Sequence, residues 1–184
     1  MAKLKKAAML AVLEGIESIQ ERELVKDWLL ITYDLPITEE GNKARGHFLQ
    51  TAPRLGAMMH TRSVYFMPQT QLSELAALEL SKIEHAKVFV WTSSMDDLKA
   101  KELTELYDSR IRDEITTIEE RIKNARKHVA KEQWGMAGRM MPNTIEAFNT
   151  TLYTAIQRGS REIIDELTKL RQEIAALHGE IGAV

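Results

Sequence analysis

The chain contains no cysteine among its 184 residues. It therefore has no disulfide framework, no thiol nucleophile and no thiolate metal site, which is compatible with a protein that works in the cytoplasm. Prolines and aromatic residues are also few, at four prolines and 6% aromatics. No apolar run approaches the roughly 20 residues that a transmembrane helix needs, so we expect no membrane association. The formal net charge of -2 indicates no overall field that would attract nucleic acids or membranes.

Residues 1–27 form the first of three segments. Lysines followed by an apolar stretch give this segment a superficial similarity to a signal peptide. However, Glu14 and Glu17 follow at once, and the apolar residues recur on one helical face. Those apolar residues are Leu4, Ala8, Val12, Ile16 and Ile19. We therefore predict an amphipathic helix that continues towards Val25.

Residues 28–93 alternate strand and helix patterns in the order β-α-β-β-α-β, which predicts a ferredoxin-like domain within the α+β class. The predicted strands cover residues 28–34, 57–60, 63–67 and 87–92. One predicted helix begins at residue 39, and the other spans residues 72–83. Pro53 removes a backbone donor and clashes with the preceding turn, so we expect the first helix to kink or stop near Ala52.

Residues 94–184 carry long helical patterns that predict an antiparallel helical hairpin. Gly135, Gly138 and Pro142 are expected to break the first long helix, and Asn143 is expected to start the second. Gly159 interrupts the second helix without having to end it. Helices of about 36 residues would be about 55 Å long, too long to lie wholly over a small sheet. Part of the hairpin should therefore project or meet a second chain.

The strands at residues 28–34 and 87–92 are apolar on both of their sides. The two short helices can cover only one face of the predicted sheet. The other face needs the hairpin, the leading helix or a partner subunit, and we predict a homodimer.

Four short segments give the chain a resemblance to known proteins. They are WLLITYDLP (28–36), RLGA (54–57), SVYFMP (63–68) and LYDSR (106–110). These segments resemble the ferredoxin-like superfamily of the small CRISPR-associated adaptation subunit, which also includes the virulence-associated protein D toxins and the C-terminal part of phenylacetate-degradation repressors. The resemblance covers about residues 28–112 and is closest to the N-terminal region of the chromate-resistance regulatory protein ChrB.

This resemblance implies two different functions. In nuclease-like members a strand-end aspartate binds a divalent metal between two subunits, and Asp34 matches that position. Mg²⁺ or Mn²⁺ held there by two copies of Asp34 would activate water for phosphodiester attack. In the regulatory relatives such chemistry is often missing. Without a metal, Asp34 would cap or orient the loop that precedes Pro36.

Two groups of basic residues are candidates for nucleic-acid contact. Arg45 and Arg54 flank the first short helix and Arg62 lies in the predicted hairpin turn, where all three could contact phosphates near Asp34. A second group follows along the helical segment: Arg121, Lys123, Arg126, Lys127, Lys131 and Arg139, with Trp134 close by. Such a group could grip a nucleic-acid backbone. Isolated surface arginines and cations that complement a helix C-terminus are the alternative interpretations.

We expect a non-enzymatic regulatory or interaction protein that contacts DNA or RNA through the basic helical region. The alternative is a metal-dependent nuclease that uses Asp34 from two subunits. The five histidines are dispersed and lack a zinc-binding spacing. We therefore predict no cofactor, apart from Mg²⁺ or Mn²⁺ under the nuclease alternative.

Overall fold

The structure is a computed structural model that describes residues 21–61 and 63–183. The predicted leading helix over residues 1–20 and the candidate Arg62 lie outside these residues. Residues 21–26 are not helical, so the prediction that the leading helix continues towards Val25 is wrong in the described part. Val25 is instead buried, and its N–H donates a hydrogen bond to the Thr104 hydroxyl at 3.2 Å. This segment therefore leads directly into the sheet.

The described chain forms a four-stranded sheet and five helices. The strands are β1 (Asp27–Asp34), β2 (Met58–Thr61), β3 (Val64–Pro68) and β4 (Lys87–Ser94). The helices are α1 (Glu39–Arg54), α2 (Gln71–Ser81), α3 (Asp97–Val129), α4 (Trp134–Arg158) and α5 (Arg161–Gly182). The strands lie in the order β2-β3-β1-β4, and all neighbours are antiparallel. The predicted α+β class is confirmed, and the arrangement is compatible with a ferredoxin-like domain.

A side-chain cap and a proline set the two ends of helix α1. The Thr38 hydroxyl accepts a hydrogen bond from the Gly41 N–H at 3.1 Å and caps the first turn. Pro53 lies in the last turn, and α1 ends one residue later, which confirms the expected stop within two residues of Ala52. Gly56 then adopts a φ of 83°, a left-handed conformation that glycine reaches without steric cost. The chain can therefore turn sharply into β2.

Helices α1 and α2 cover the front face of the sheet. The buried front-face side chains are Leu29 and Ile31 from β1, with Tyr65 and Met67 from β3. They pack against a set of helical residues that includes Phe48 and Ala52 from α1, with Ala76 and Leu80 from α2. The Phe48 and Tyr65 rings meet edge to face at 5.3 Å between centroids. This layer is the smaller of two hydrophobic cores.

The rear face is covered over β1 and β3 by the long helices. Trp28 and Phe66 project from this face, and the Tyr107 ring of α3 lies 5.7 Å from Trp28 and 6.1 Å from Phe66. Beyond β1, the rear-face side chains Phe89 and Trp91 of β4 remain exposed. Cover for the rear face is therefore confirmed over the central strands, and none of the described residues covers Phe89 and Trp91 of β4.

The C-terminal region contains three helices rather than the predicted two-helix hairpin. The predicted apolar seam of α3 is confirmed, because Ile111, Ile115, Ile118 and Ile122 are all buried. They share one core with the seam of α5, which consists of Ile163, Leu167, Leu170, Ile174 and Leu177. With 33 residues, α3 is about 50 Å long. It therefore extends well past the sheet, as expected from its length.

The glycines and proline act differently from the prediction. Helix α4 begins at Trp134 and runs through Gly135, Gly138 and Pro142, so the expected break there is wrong. Buried neighbours such as Met141 anchor this turn in the core and offset the hydrogen bond that Pro142 cannot make. Conversely, Gly159 does end α4, because its φ of 69° is a left-handed cap whose N–H bonds back to the last turn. Tertiary packing and cap geometry decide both outcomes.

A buried polar network connects helices α3 and α4 to the segment that precedes β1. Arg158 forms a two-pronged ion pair with Asp108, with Nε–Oδ1 and Nη2–Oδ2 distances of 2.6 and 3.0 Å. Arg158 also donates to the carbonyl oxygens of Arg22 and Glu23. Burial lowers the pKa of the Arg22 guanidinium, and the positive charge of Arg158 lowers it further. The network therefore concentrates charge where α3, α4 and the segment before β1 meet.

Two neutral contacts complete this junction. The Tyr107 hydroxyl donates to the Gly56 carbonyl oxygen at 2.6 Å. Gln157 Nε2 donates to the Leu55 carbonyl oxygen at 3.0 Å. Complete burial raises the pKa of Tyr107 far above its ordinary value, because the phenolate cannot be solvated there. The turn after α1 is thus held by side chains from α3 and α4.

Candidate nucleic-acid interface

The turn between α3 and α4 presents the predicted basic residues. We call Arg121, Lys123, Arg126, Lys127, Lys131 and Arg139 the basic tip. The turn covers residues 130–133, and Glu132 adopts a φ of 57° there. The His128 carbonyl oxygen accepts hydrogen bonds from Lys131 N–H at 3.1 Å and from Gln133 N–H at 2.9 Å. The His128 ring also bonds Gln133 Oε1 at 2.7 Å, so the turn has a defined shape.

Most cations of the basic tip are not neutralised by carboxylates of the residues that the structure describes. Lys123, Lys131 and Arg139 are exposed and have no carboxylate within salt-bridge distance among residues 21–61 and 63–183. Lys127 reaches only the neutral Asn124 amide, at 3.4 Å. Arg126 lies 3.8 Å from Glu173 in a pair that is half exposed and therefore contributes little. Four positive charges are consequently open to an anionic partner.

The position of these cations bears on the two interpretations of the cluster. Arg126 and Lys127 occupy the last turn of α3, where the helix dipole favours positive charge. Lys131 lies beyond that helix, just before the start of α4, where the dipole favours negative charge instead, and Arg139 lies in the second turn of α4. The first turn of α4 contains no acidic residue, and Gln133 makes no side-chain cap. The helix dipole therefore accounts for Arg126 and Lys127 but not for Lys131.

Charge is strongly polarised along α3. Residues 97–120 of α3 contain eight acidic and four basic side chains, whereas residues 121–129 contain four basic side chains and no acid. The end that extends past the sheet carries the basic tip. Such a distribution orients an approaching polyanion towards the tip even though the whole chain has a net charge of -2.

A groove of about 690 Å³ lies between the end of α1, strand β2 and helices α3 and α4. Arg54 and Arg121, which belong to different predicted groups, both line it, together with Arg110. Arg54 Nη2 lies 3.4 Å from a Glu146 carboxylate oxygen, and Arg121 donates to a backbone carbonyl at 3.2 Å. Glu114 lines the groove as well. Its charge is therefore mixed and close to balanced.

Arg45 and Arg54 of the predicted first group do not come together as one site. Arg45 and Arg54 are nine positions apart on α1, a spacing that places them on opposite sides of the helix. Arg54 faces α4 through its pair with Glu146, whereas Arg45 is exposed. The prediction that these two arginines contact one phosphate backbone beside Asp34 is therefore not supported.

Asp34 ends β1 as predicted, and its side chain is exposed. In the β1–β4 register it lies opposite Lys87. Within the described residues its carboxylate accepts no hydrogen bond, so the interpretation that it caps the following loop is not supported. Across the same residues, no group of three or more potential metal-ligating side chains is present. One chain therefore offers Asp34 as a single ligand.

Two features were missed by the reasoning from sequence. Arg110 and Glu114 share the groove with Arg121, and their spacing of four and then seven residues would have placed all three on one helical face. The position of β4 at the edge of the sheet, where its apolar residues are exposed, was also missed. Among the described helices, none combines the length and apolar character of a bilayer span.

In comparisons with known proteins, no family model matches the chain. No curated protein is significantly similar to it.

Proposed function

We propose that the protein is a non-enzymatic regulatory or interaction module that holds a nucleic-acid backbone at its basic tip. The single observation that carries this proposal is the set of open cations at the α3–α4 turn, namely Lys123, Lys127, Lys131 and Arg139. Phosphate groups are the natural partners of such a cluster, because binding releases condensed counterions from the nucleic acid.

The supporting geometry is that of a rigid projection. The tip lies at one end of α3, and towards the other end α3 packs on the sheet through Tyr107 and is joined to α4 by the Asp108–Arg158 ion pair. Trp134 lies beside the tip and is half-buried, so part of its ring can stack on a base or sugar. A rigid helix with an open basic end can approach a nucleic acid without rearrangement of the rest of the fold.

The resemblance to the ChrB N-terminal region agrees with a regulatory role. We include in the proposal that residues 28–93 form a ferredoxin-like domain, which the element order β1-α1-β2-β3-α2-β4 supports. A cytoplasmic location also belongs to the proposal, since nucleic acids are accessible there. Because one fold hosts many functions, the basic tip and not the fold supports the proposed function.

Fluorescence anisotropy with labelled duplex DNA, single-stranded DNA and RNA tests this proposal. We expect salt-sensitive binding by the full chain and about a hundredfold loss of affinity in the double variant Lys127→Ala/Lys131→Ala, because each of the two lost phosphate contacts contributes about tenfold near 0.1 M salt. The matched control is Lys99→Ala/Lys101→Ala, which removes two lysines from the acidic end of α3. Equal loss in both double variants would contradict the proposal.

The nuclease alternative is distinguished in the same samples. Incubation with Mg²⁺ or Mn²⁺ followed by gel analysis reports cleavage, and Asp34→Ala is run in parallel. Cleavage that disappears in Asp34→Ala would overturn the non-enzymatic proposal and support the nuclease. Binding without cleavage supports the module.

A further inference from the structure

Strand β4 is an open edge of the sheet. The order β2-β3-β1-β4 gives β4 a single neighbour, β1, so its outer backbone groups have no strand partner within the described chain. All eight residues of β4 pair with β1 in one unbroken register. The strand is therefore long and regular, and no described residue pairs with its outer side.

The middle of β4 is apolar and exposed on both faces of the sheet. Phe89, Val90 and Trp91 are 47%, 41% and 59% exposed. Trp91 pairs with Leu30 and therefore points to the rear face, whereas Val90 pairs with Ile31 and points to the front. A partner that covered one face would leave the other side uncovered. Only a neighbour at the edge itself adjoins all three side chains.

The two edges of the sheet differ in how they resist such pairing. Edge strands are usually protected by shortness, irregularity, proline or charge. β2 is protected in this way, since it has four residues and a register shift between Met59 and Thr61. β4 has no proline and no register shift, and its single charge, Lys87, lies at one end. The asymmetry indicates that β4 is built to receive a strand.

We propose that β4 pairs antiparallel with β4 of a second copy of this chain, which gives a continuous eight-stranded sheet. A two-fold axis perpendicular to the sheet allows only registers in which one residue lies opposite its own copy, because directly opposed side chains must share a face. The register centred on Val90 places Val90 beside the partner's Val90. It also places Phe89 beside the partner's Trp91, twice by symmetry.

Neighbouring registers match the apolar residues less well. Centring the pair on Trp91 places Phe89 beside the partner's Ser93, and centring it on Phe89 places Trp91 beside the partner's Lys87. The register on Val90 alone pairs each of the three large apolar side chains with another. Cross-strand aromatic and β-branched pairs of this kind stabilise antiparallel sheets.

This dimer keeps the two copies of Asp34 apart. Asp34 lies beside Lys87, which in the proposed register is opposite the partner's Ser93. The two Asp34 positions are then offset by six residues, or about 20 Å, along the strands, and by three strand spacings, or about 14 Å, across them. The resulting separation is about 24 Å, whereas a shared Mg²⁺ requires oxygens about 2 Å from the ion on both sides. This dimer is independent of the proposed nucleic-acid binding. It is incompatible with the nuclease alternative, which needs both Asp34 carboxylates on one metal ion.

Light scattering after gel filtration tests the assembly. We expect a mass of about twice the 21.0 kDa of one chain. Val90→Lys should give a folded monomer, because it sets two ammonium groups against each other at the axis. The control Leu78→Lys changes a side chain on α2 that is 54% exposed and should stay dimeric. A monomeric unsubstituted chain, or a dimer that survives Val90→Lys, overturns the proposal.

Distance measurement tests the register without disrupting the interface. Because the chain lacks cysteine, Asp34→Cys provides one labelling site per copy. Pulsed electron resonance between attached spin labels should report a separation near 24 Å, broadened by the label linkers. In addition, Val90→Cys should form an intermolecular disulfide on mild oxidation, whereas Leu78→Cys should not. Spin labels in close contact at residue 34 would overturn the edge-to-edge dimer, whatever the outcome for nucleic-acid binding.

Discussion

Replacement of Asp108 by alanine tests whether the polar junction holds the long helices on the sheet. Asp108 is the carboxylate partner of Arg158, whose side chain is only 5% exposed. In Asp108→Ala both ion-pair hydrogen bonds are lost, and the guanidinium keeps only the backbone carbonyls of Arg22 and Glu23. A buried cation without a counterion is costly, because neither water nor a carboxylate compensates its charge.

The magnitude follows from burial. Removing one partner of a buried ion pair costs about 3–5 kcal/mol. The lower end applies here, about 3 kcal/mol, because the Asp108 side chain is 25% exposed and the two carbonyls remain. With an m-value of about 2 kcal/mol per molar urea, the unfolding midpoint should fall by about 1.5 M. Urea titration followed by circular dichroism measures this shift.

The matched control is Glu162→Ala, which removes the carboxylate that Arg112 contacts at 3.0 Å between α3 and α5. Both side chains of that pair are largely exposed, so the cost should be at most about 1 kcal/mol. A double replacement, Asp108→Leu with Arg158→Met, should recover much of the stability because it removes both buried charges. If Asp108→Ala destabilises no more than Glu162→Ala, the reasoning about the junction is wrong.

Two further predictions concern the same junction. Gly56→Ala should destabilise the protein by about 1–3 kcal/mol, because φ is 83° and a Cβ would lie 2.6 Å from Gln157 Oε1. The control Gly46→Ala lies within α1 with open space around it and should stabilise the protein by up to about 1 kcal/mol. Urea titration measures both changes. Because burial raises the pKa of Tyr107, its stabilising contribution is complete below the unfolded pKa near 10.0 and is lost as pH rises above it. Tyr107→Phe should therefore flatten the decline of the urea midpoint above that pH, and an unchanged decline would refute this assignment.

Much of the fold could be predicted from local patterns. Alternating and apolar runs predicted all four strands to within a few residues, and the spacing of isoleucines predicted the buried seam of α3. These patterns depend only on which face of an element is buried. The break between the long helices could not be predicted in the same way. Whether Gly135 or Gly159 ends a helix depends on backbone conformation and on packing around neighbours such as Met141.

The candidate site was predictable in its residues more than in its geometry. The charge run from Arg121 to Arg139 predicted the basic tip, because sequence neighbours across a short helical turn stay close in space. By contrast, the groove brings Arg54 to Arg121 through tertiary packing that no local pattern encodes. Local patterns likewise could not predict that β4 is an open edge, because the order of the strands in the sheet decides which strand lies at the edge.

The salt dependence of nucleic-acid binding is the sharpest test of the proposal that the basic tip holds phosphate groups. If Lys123, Lys127, Lys131 and Arg139 each contact one phosphate of duplex DNA, the logarithm of the association constant should fall with the logarithm of salt concentration with a slope of about -3.6. Lys127→Ala/Lys131→Ala should reduce that slope to about -1.8, while Lys99→Ala/Lys101→Ala leaves it unchanged. Absence of binding at low salt, or a slope that the tip variant does not alter, would contradict the account.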